Sequence, residues 1–195
     1  MRKLSVFESI SVDGFFTDAE GDMSWAKPAE RDPELDAFSK DSSTRGGTLI
    51  FGRVTYEMMA GFWTSDMAKQ MMPEVAGGMN ASPKIVFSKT LASADWAGTR
   101  LVKTDPVAEI RRLKQESGPD MCILGSGSIV SQLSAAGLID AYQFVVVPVV
   151  IGKGRSLFET VRDPFPIKLE SSRAFPSGRV LLTYSKEVPG GKQPG

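Results

Sequence analysis

The sequence predicts an α/β fold built on a single mixed, mostly parallel sheet flanked by helices. Three observations carry that expectation. Short apolar runs alternate with stretches of helical period along most of the chain. From about position 141 the helical pattern stops and strand-like segments finish the chain, which adds an antiparallel edge to a parallel sheet. Three of the apolar runs end in polar turns, holding Gly or Ser, that open a helix or a loop.

The elements follow in order. Lys3 to Ser11 reads as a first strand, and Val12 to Pro28 as a long loop rich in Gly and Asp that carries Phe15, Phe16 and Trp25. Asp32 is placed to cap a helix over Pro33 to Ser43, with Leu35 and Phe38 on one face. Thr48 to Phe51 is a short buried strand, followed by a helix over Val54 to Gly61. The Met- and Gly-rich segment from Phe62 to Pro83 predicts a helix and then a mobile loop. Lys84 to Ser88 and Thr99 to Lys103 are further strands. Asp105 caps a helix that starts at Pro106, runs to about Ser117 and buries Val107, Ile110 and Leu113. Met121 to Leu124 is a strand and Ser128 to Ala136 a helix, ended by Gly137. Ala141 to Ile151 is strongly β, and Ile167 to Phe175 and Arg179 to Ser185 predict a closing antiparallel pair around Pro176-Ser177-Gly178. No repeat or linker divides the chain, so one domain is expected over 1–187, with a disordered tail over 188–195.

Composition removes several function classes. The chain has no histidine, which excludes His-based triads, HExxH metalloproteases and His-ligated zinc. Its single cysteine, Cys122, excludes an intrachain disulfide and any multi-Cys metal site, so no metal is expected. Lys and Arg total 23 and Asp and Glu total 23, a zero formal charge that argues against nucleic acid or a membrane as partner. Glu8 interrupts the first apolar run, so no signal-peptide core forms. The longest apolar stretch, Phe144 to Ile151 around Pro148, is far short of the ~20 residues of a membrane helix. A soluble, cytoplasmic protein with a small-molecule substrate is the expectation.

Three turns carry the candidate chemistry, because ligands of open α/β sheets gather outside the carboxyl ends of strands. In Phe51-Gly52-Arg53-Val54-Thr55, Gly52 admits a ligand close to the backbone, the new helix offers free amides, Arg53 a planar cationic fork and Thr55 a hydroxyl. An ordinary β–α turn with an exposed Arg accounts for the same residues. In Leu124-Gly125-Ser126-Gly127-Ser128, a strand enters a Gly-x-Gly turn and a helix leaves it, the context in which pyrophosphate meets a helix start. Val130 stands where the full dinucleotide fingerprint has Gly or Ala, and the motif comes late in the chain, so a Rossmann fold is not predicted. Ser88, Lys89 and Thr90 suit a phosphate monoester such as the 2′-phosphate of NADPH. Among acids, Asp13 follows the first strand and is either a cleft carboxylate or a turn former, since Asp-Gly favours turns. Glu34 and Asp36 lie on the first turn of a helix, where acids also offset the helix dipole. Trp25 either covers a ligand or pins its loop.

Taken together these segments resemble the dihydrofolate reductase-like superfamily. The closer match is the reductase domain of the riboflavin-pathway deaminase-reductases and their stand-alone relatives. The likeness runs from about Lys3 to Ser185 and rests on Ser9-Ile10-Ser11-Val12-Asp13-Gly14, Phe51 to Glu57, Val86 to Thr90, Ile123 to Gly127, Leu138 to Tyr142 and Val147 to Gly154. It implies NADPH as cofactor, with Gly52, Arg53 and Thr55 on its phosphates, Ser88 and Lys89 at the 2′-phosphate, and Gly125, Ser126, Gly127 and Ser128 around the pyrophosphate. It places Val12 and Asp13 beside the nicotinamide and substrate, with Gly152 and Gly154, and it implies a homodimer. It also implies a catalytic acid on the first helix, for which Glu34 and Asp36 are the candidates. The expected chemistry is hydride transfer from NADPH to a C=O or C=N bond of a small pterin- or pyrimidine-like molecule, which needs no histidine. These 195 residues lack the His/Cys set of a zinc deaminase. Dihydrofolate reduction, and a nucleotide-binding sensor or dimeric interaction protein without catalysis, are the alternatives.

Overall fold

Asp32, Ser65 and Asp105 each turn a side-chain oxygen onto the free amides of the helix that follows, which fixes where three helices start. The computed structural model describes residues 1–27 and 31–187; the expected tail at 188–195, and residues 28–30 around the end of the expected loop, lie outside the described residues. Along the chain the elements are β1 (Leu4–Ser11), β2 (Thr17–Asp18), a 3-10 turn (Ser24–Ala26), α1 (Pro33–Thr44), β3 (Thr48–Gly52) and α2 (Arg53–Trp63). Then come α3 (Asp66–Met71), α4 (Pro73–Ala81), β4 (Lys84–Phe87), β5 (Thr99–Val102), α5 (Pro106–Gln115), β6 (Met121–Leu124) and α6 (Gly127–Ala135). The last are β7 (Ala141–Val147), β8 (Gly154–Arg155), β9 (Ile167–Ala174) and β10 (Val180–Lys186).

Eight strands form one sheet in the order β5-β4-β3-β6-β1-β7-β10-β9, and β2 pairs with β8 separately. Every pair from β5 to β7 is parallel, and β10 pairs antiparallel with both β7 and β9. The fold is therefore the mixed, mostly parallel sheet that the sequence predicts. Both of its faces are covered, as a parallel sheet requires. Leu4, Val6, Ile50 and Ile123 pack with Ile110 and Leu113 of α5 and Ile129 and Leu133 of α6. Phe51 and Val86 face the other way, onto Tyr56 of α2, Val75 and Met79 of α4, and Trp96. Among the described residues no helix is long and apolar enough to cross a membrane.

One expectation is corrected. Residues 62–83 do not end in a mobile loop: they finish α2 and form α3 and α4. Gly78, which reads as loop-forming, is there because α4 crosses α1 closely; a Cβ on it would stand 2.5 Å from the Ser43 carbonyl oxygen.

Candidate functional site

The sheet order lines up the carboxyl ends of β4, β3 and β6, so the three turns singled out in the sequence become neighbours. At two of them a helix begins immediately. Gly52 is the N-cap of α2 and Ser126 the N-cap of α6, and neither helix start is closed by a side chain, unlike α1, α3 and α5. First-turn amides of α2 and α6 thus remain for a ligand, and the helix dipoles bias that ligand towards an anion.

Ser126 joins the two turns. Its φ of +98° lies in the left-handed region that few side chains adopt. In that conformation its Oγ accepts the Gly52 N–H at 2.6 Å and donates to Thr55 Oγ1 at 3.0 Å. Beside it Gly125 has φ +66°, and a Cβ there would stand 2.9 Å from Thr55 Cγ2 and 3.4 Å from Glu8 Oε2. The missing side chain lets Thr55 and Glu8 close in on the Gly125 backbone, between β1, α2 and α6. Gly127 is bare for another reason: the Phe16 ring lies against it, where a Cβ would come within 2.5 Å of Cζ.

The remaining predicted residues divide into those near this cradle and those employed elsewhere. Arg53 stands at the first position of α2, half-exposed, in an ion pair with Glu57 at 2.9 Å. Ser88 Oγ accepts the amides of Thr90 and Leu91 at 3.2 and 2.9 Å and so closes the third turn, with Lys89 exposed on it. Ser128 is exposed in the first turn of α6. Val12 is exposed, and its amide donates to the Val149 carbonyl at 2.9 Å. Asp13 accepts the amides of Ile151 and Gly152, at 3.3 and 2.7 Å, and so latches the loop after β1 to the loop after β7. The Ser11 hydroxyl first, then the Gly152 and Ile151 amides, hold its carboxyl below the usual range. Gly154 pairs with Asp18 in the small β2–β8 sheet. Glu34 and Asp36 are not brought to the cradle or to either cavity described below: Glu34 binds Arg173 at 2.8 Å and Asp36 binds Arg31 at 2.9 Å. The helix acids are spent on surface ion pairs because the cavity side of α1 carries Phe38, Ser39 and Ser42 instead.

Two cavities flank α1. One of about 470 Å³ lies over the sheet and is walled by Phe7, Phe38, Leu49, Met59, Trp63 and Met79, with Glu8, Ser9, Gly125 and Gln143 also in its lining. The other, about 500 Å³, holds Trp25 with Asp32, Val147 and Arg179. Asp32 there is satisfied by the amides of Glu34, Leu35 and Ser177, and Trp25 donates its indole N–H to the Asp22 carbonyl at 3.2 Å.

Glu8 is the residue that sequence reasoning missed. It is 5% exposed; Oε1 accepts the Ser9 amide at 3.3 Å, and Oε2 has no hydrogen-bond partner. Burial pushes its carboxyl up to about 8, against partial relief from the amides of Ser9 and Gly125. The available signal was its phase, since Leu4, Val6 and Glu8 alternate on one face of β1 and the first two are core.

The chain belongs to the RibD C-terminal domain family, whose model matches residues 2–181. It is similar to Uncharacterized protein YyaP of Bacillus subtilis (strain 168), 25% identical over 183 residues that span 94% of each chain. Among solved structures, a Shewanella sp. PV-4 protein provisionally described as a riboflavin biosynthesis protein superposes with a TM-score of 0.72 at 22% identity, over 95% of this chain and 99% of that one. A diaminohydroxyphosphoribosylaminopyrimidine deaminase/5-amino-6-(5-phosphoribosylamino)uracil reductase of Thermotoga maritima superposes at 0.68 and 13% identity, over 95% of this chain and 57% of that one. At these identities the structural likeness carries the fold.

Proposed function

We propose that this chain is a cytoplasmic NADPH-dependent reductase that delivers a hydride to a C=O or C=N bond of a small planar substrate of pyrimidine type. The observation that carries the reading is the pair of uncapped helix starts at the ends of β3 and β6, joined by Ser126. Two adjacent sets of free amides suit a diphosphate better than a lone anion. The donor set fits the cofactor. Arg53 and Thr55 would hold its phosphates, the amides of Gly127 and Ser128 its pyrophosphate, and Ser88 with Lys89 its 2′-phosphate. When bound, the reduced nicotinamide supplies the hydride. The chain's own part is to orient, exclude water and present polar groups. Phe7, Phe38, Met59 and Trp63 give the wall of the 470 Å³ cavity an apolar character that accepts a flat ring, and Gln143 offers it hydrogen bonds. Membership in a family named for a reductase-bearing riboflavin enzyme favours the same chemistry. Dihydrofolate fits less well, because Glu34 and Asp36 line neither cavity.

Calorimetric titration with NADPH and NADH tests the cofactor. NADPH should bind at least tenfold more tightly, about 1.4 kcal/mol or more, through Arg53 and Lys89. Equal affinity, or no binding, overturns the assignment. The same reading includes a homodimer, which light scattering would report as twice the 21.1 kDa chain mass.

A further inference from the structure

The 500 Å³ cavity beside α1 holds a buried cation that the protein leaves unpaired. Arg179 is 5% exposed and lines that cavity. Its backbone is fixed, because the Arg179 carbonyl accepts the Phe175 amide at 2.8 Å across the turn that leads into β10. A guanidinium carries five N–H donors in a rigid fork. Here Nη2 donates to the Ala26 carbonyl at 3.1 Å, and no other N–H of the group meets an acceptor among the described residues. None of their carboxylates lies within ion-pair distance of Arg179, and none of their aromatic rings stacks on it. The free nitrogens are not sealed in. The buried side-chain atoms that lack both a partner and access are Glu8 Oε2, Thr99 Oγ1 and Ser177 Oγ, with no atom of Arg179 among them. Arginine is rarely buried this deeply without a partner, because desolvating an unanswered charge is costly. A buried fork that opens on a cavity therefore points to an anion that the cavity receives.

The rest of the lining agrees. Lys27 is exposed and makes no ion pair among the described residues, while Arg31 shares its charge with Asp36 at 2.9 Å. The carboxylate in the lining, Asp32, is already answered. Its Oδ1 accepts the amides of Glu34 and Leu35, each at 3.1 Å, and its Oδ2 accepts the Ser177 amide at 3.0 Å. Trp25 is half-buried, and its bond to the Asp22 carbonyl holds the indole in place as a flat apolar wall.

We propose that this cavity binds a small organic anion, with a carboxylate or phosphate in the fork of Arg179, the charge of Lys27 in support, and a flat ring against Trp25. The site is separate from the dinucleotide cradle. It lies at the end of β7 and the start of β10, whereas the cradle lies at the ends of β3 and β6, with β1 between them. The inference holds whether or not NADPH binds.

Calorimetry on the full chain with benzoate, phenyl phosphate, inorganic phosphate and phenol tests it. Benzoate or phenyl phosphate should bind at least about tenfold more tightly than phenol, which has the ring without the charge. Either should also exceed inorganic phosphate, which has the charge without the ring. The tighter of the two identifies the acid group. Arg179→Met keeps the length of the side chain and removes its charge; it should weaken the organic anions at least about tenfold and leave phenol within about twofold. Because that variant removes an unpaired buried charge, its urea midpoint should be no lower than that of the wild type. Lys27→Met, at an exposed position, should weaken both organic anions about threefold. Trp25→Ala should bring their affinity down to that of inorganic phosphate. Equal binding of phenol and the anions, no binding of either organic anion, anion affinity retained in Arg179→Met, or a lowered urea midpoint in that variant overturns the site.

Discussion

Lys84 and Glu8 are buried ionisable side chains on parallel strands of one sheet, and their surroundings treat them in opposite ways. Lys84, 1% exposed at the start of β4, donates to the carbonyls of Asn80, Ser82 and Ala97 at 3.1, 2.7 and 3.1 Å and lies 4.5 Å from the centre of the Trp96 ring. Around it the network closes: the Tyr56 hydroxyl accepts the Trp96 amide at 2.9 Å, and the Trp96 indole donates to Asn80 at 2.7 Å. Glu8, near the middle of β1, has the Ser9 amide at 3.3 Å, partial relief from the Gly125 amide, and an Oε2 that makes no hydrogen bond. Burial shifts both groups towards neutrality, lowering the Lys84 ammonium and raising the Glu8 carboxyl. Only the lysine has enough partners to make burial a structural asset. A buried polar group whose needs are met braces the fold, whereas one whose needs are unmet costs it stability.

The largest expected effect would break this comparison outright. In the folded chain Glu8 keeps its proton up to about pH 8, and in the unfolded chain only to about 4.5. The Glu8 contribution to stability should therefore be fully present below pH 4.5, fall steadily as the pH rises to about 8, and level off above it. Glu8→Gln lacks that decline, so the two urea-denaturation profiles should diverge by on the order of 4 kcal/mol across the window. Parallel profiles would put Glu8 in the same class as Lys84. Next in size is Lys84→Met, which strands three carbonyls and should lower the unfolding free energy by about 3 kcal/mol while leaving NADPH affinity unchanged. Gly125→Ala should cost about 2 kcal/mol through its left-handed φ and the clash with Thr55, and should also weaken NADPH at least tenfold by displacing the turn into α6. Smallest in stability is Arg53→Ala: its half-exposed ion pair with Glu57 leaves unfolding within ~0.5 kcal/mol, yet the NADPH dissociation constant should rise about tenfold. Loss of stability without loss of affinity in that variant would move Arg53 from the cradle to the scaffold.

Most of the architecture was legible because punctuation marks it. Asp32 and Asp105 cap the helices they precede, Gly137 ends α6 at φ +64°, and Pro176-Ser177-Gly178 turns β9 into β10. The segment 62–83 was not legible. Its Met residues fit a helix, but the need for Gly78 arises only when α1 crosses α4, a contact between elements distant in sequence. The site was half legible for a similar reason. Gly52, Arg53, Thr55 and Gly125 to Ser128 announce themselves through turn chemistry near their own positions. Whether a carboxylate is free depends on distant partners: Glu34 is tied up by Arg173 on β9, whereas Glu8 is left bare beside a glycine from the other half of the chain. Local pattern identifies a turn; it does not reveal which charge the folded surroundings will leave unanswered.

The Phe16 ring resting on Gly127 has a kinetic meaning. Phe16 belongs to the segment after β1 that also carries Asp13, and Asp13 holds the loop after β7 through two amides. Any excursion of that segment must draw the ring out of its slot on α6 and loosen the latch to Gly152. Opening at the mouth and slackening at the first turn of α6 are thus one coordinate rather than two. Phe16 and Asp13 thus tie one short segment to two separate neighbours, so a substitution that frees either contact should loosen the other.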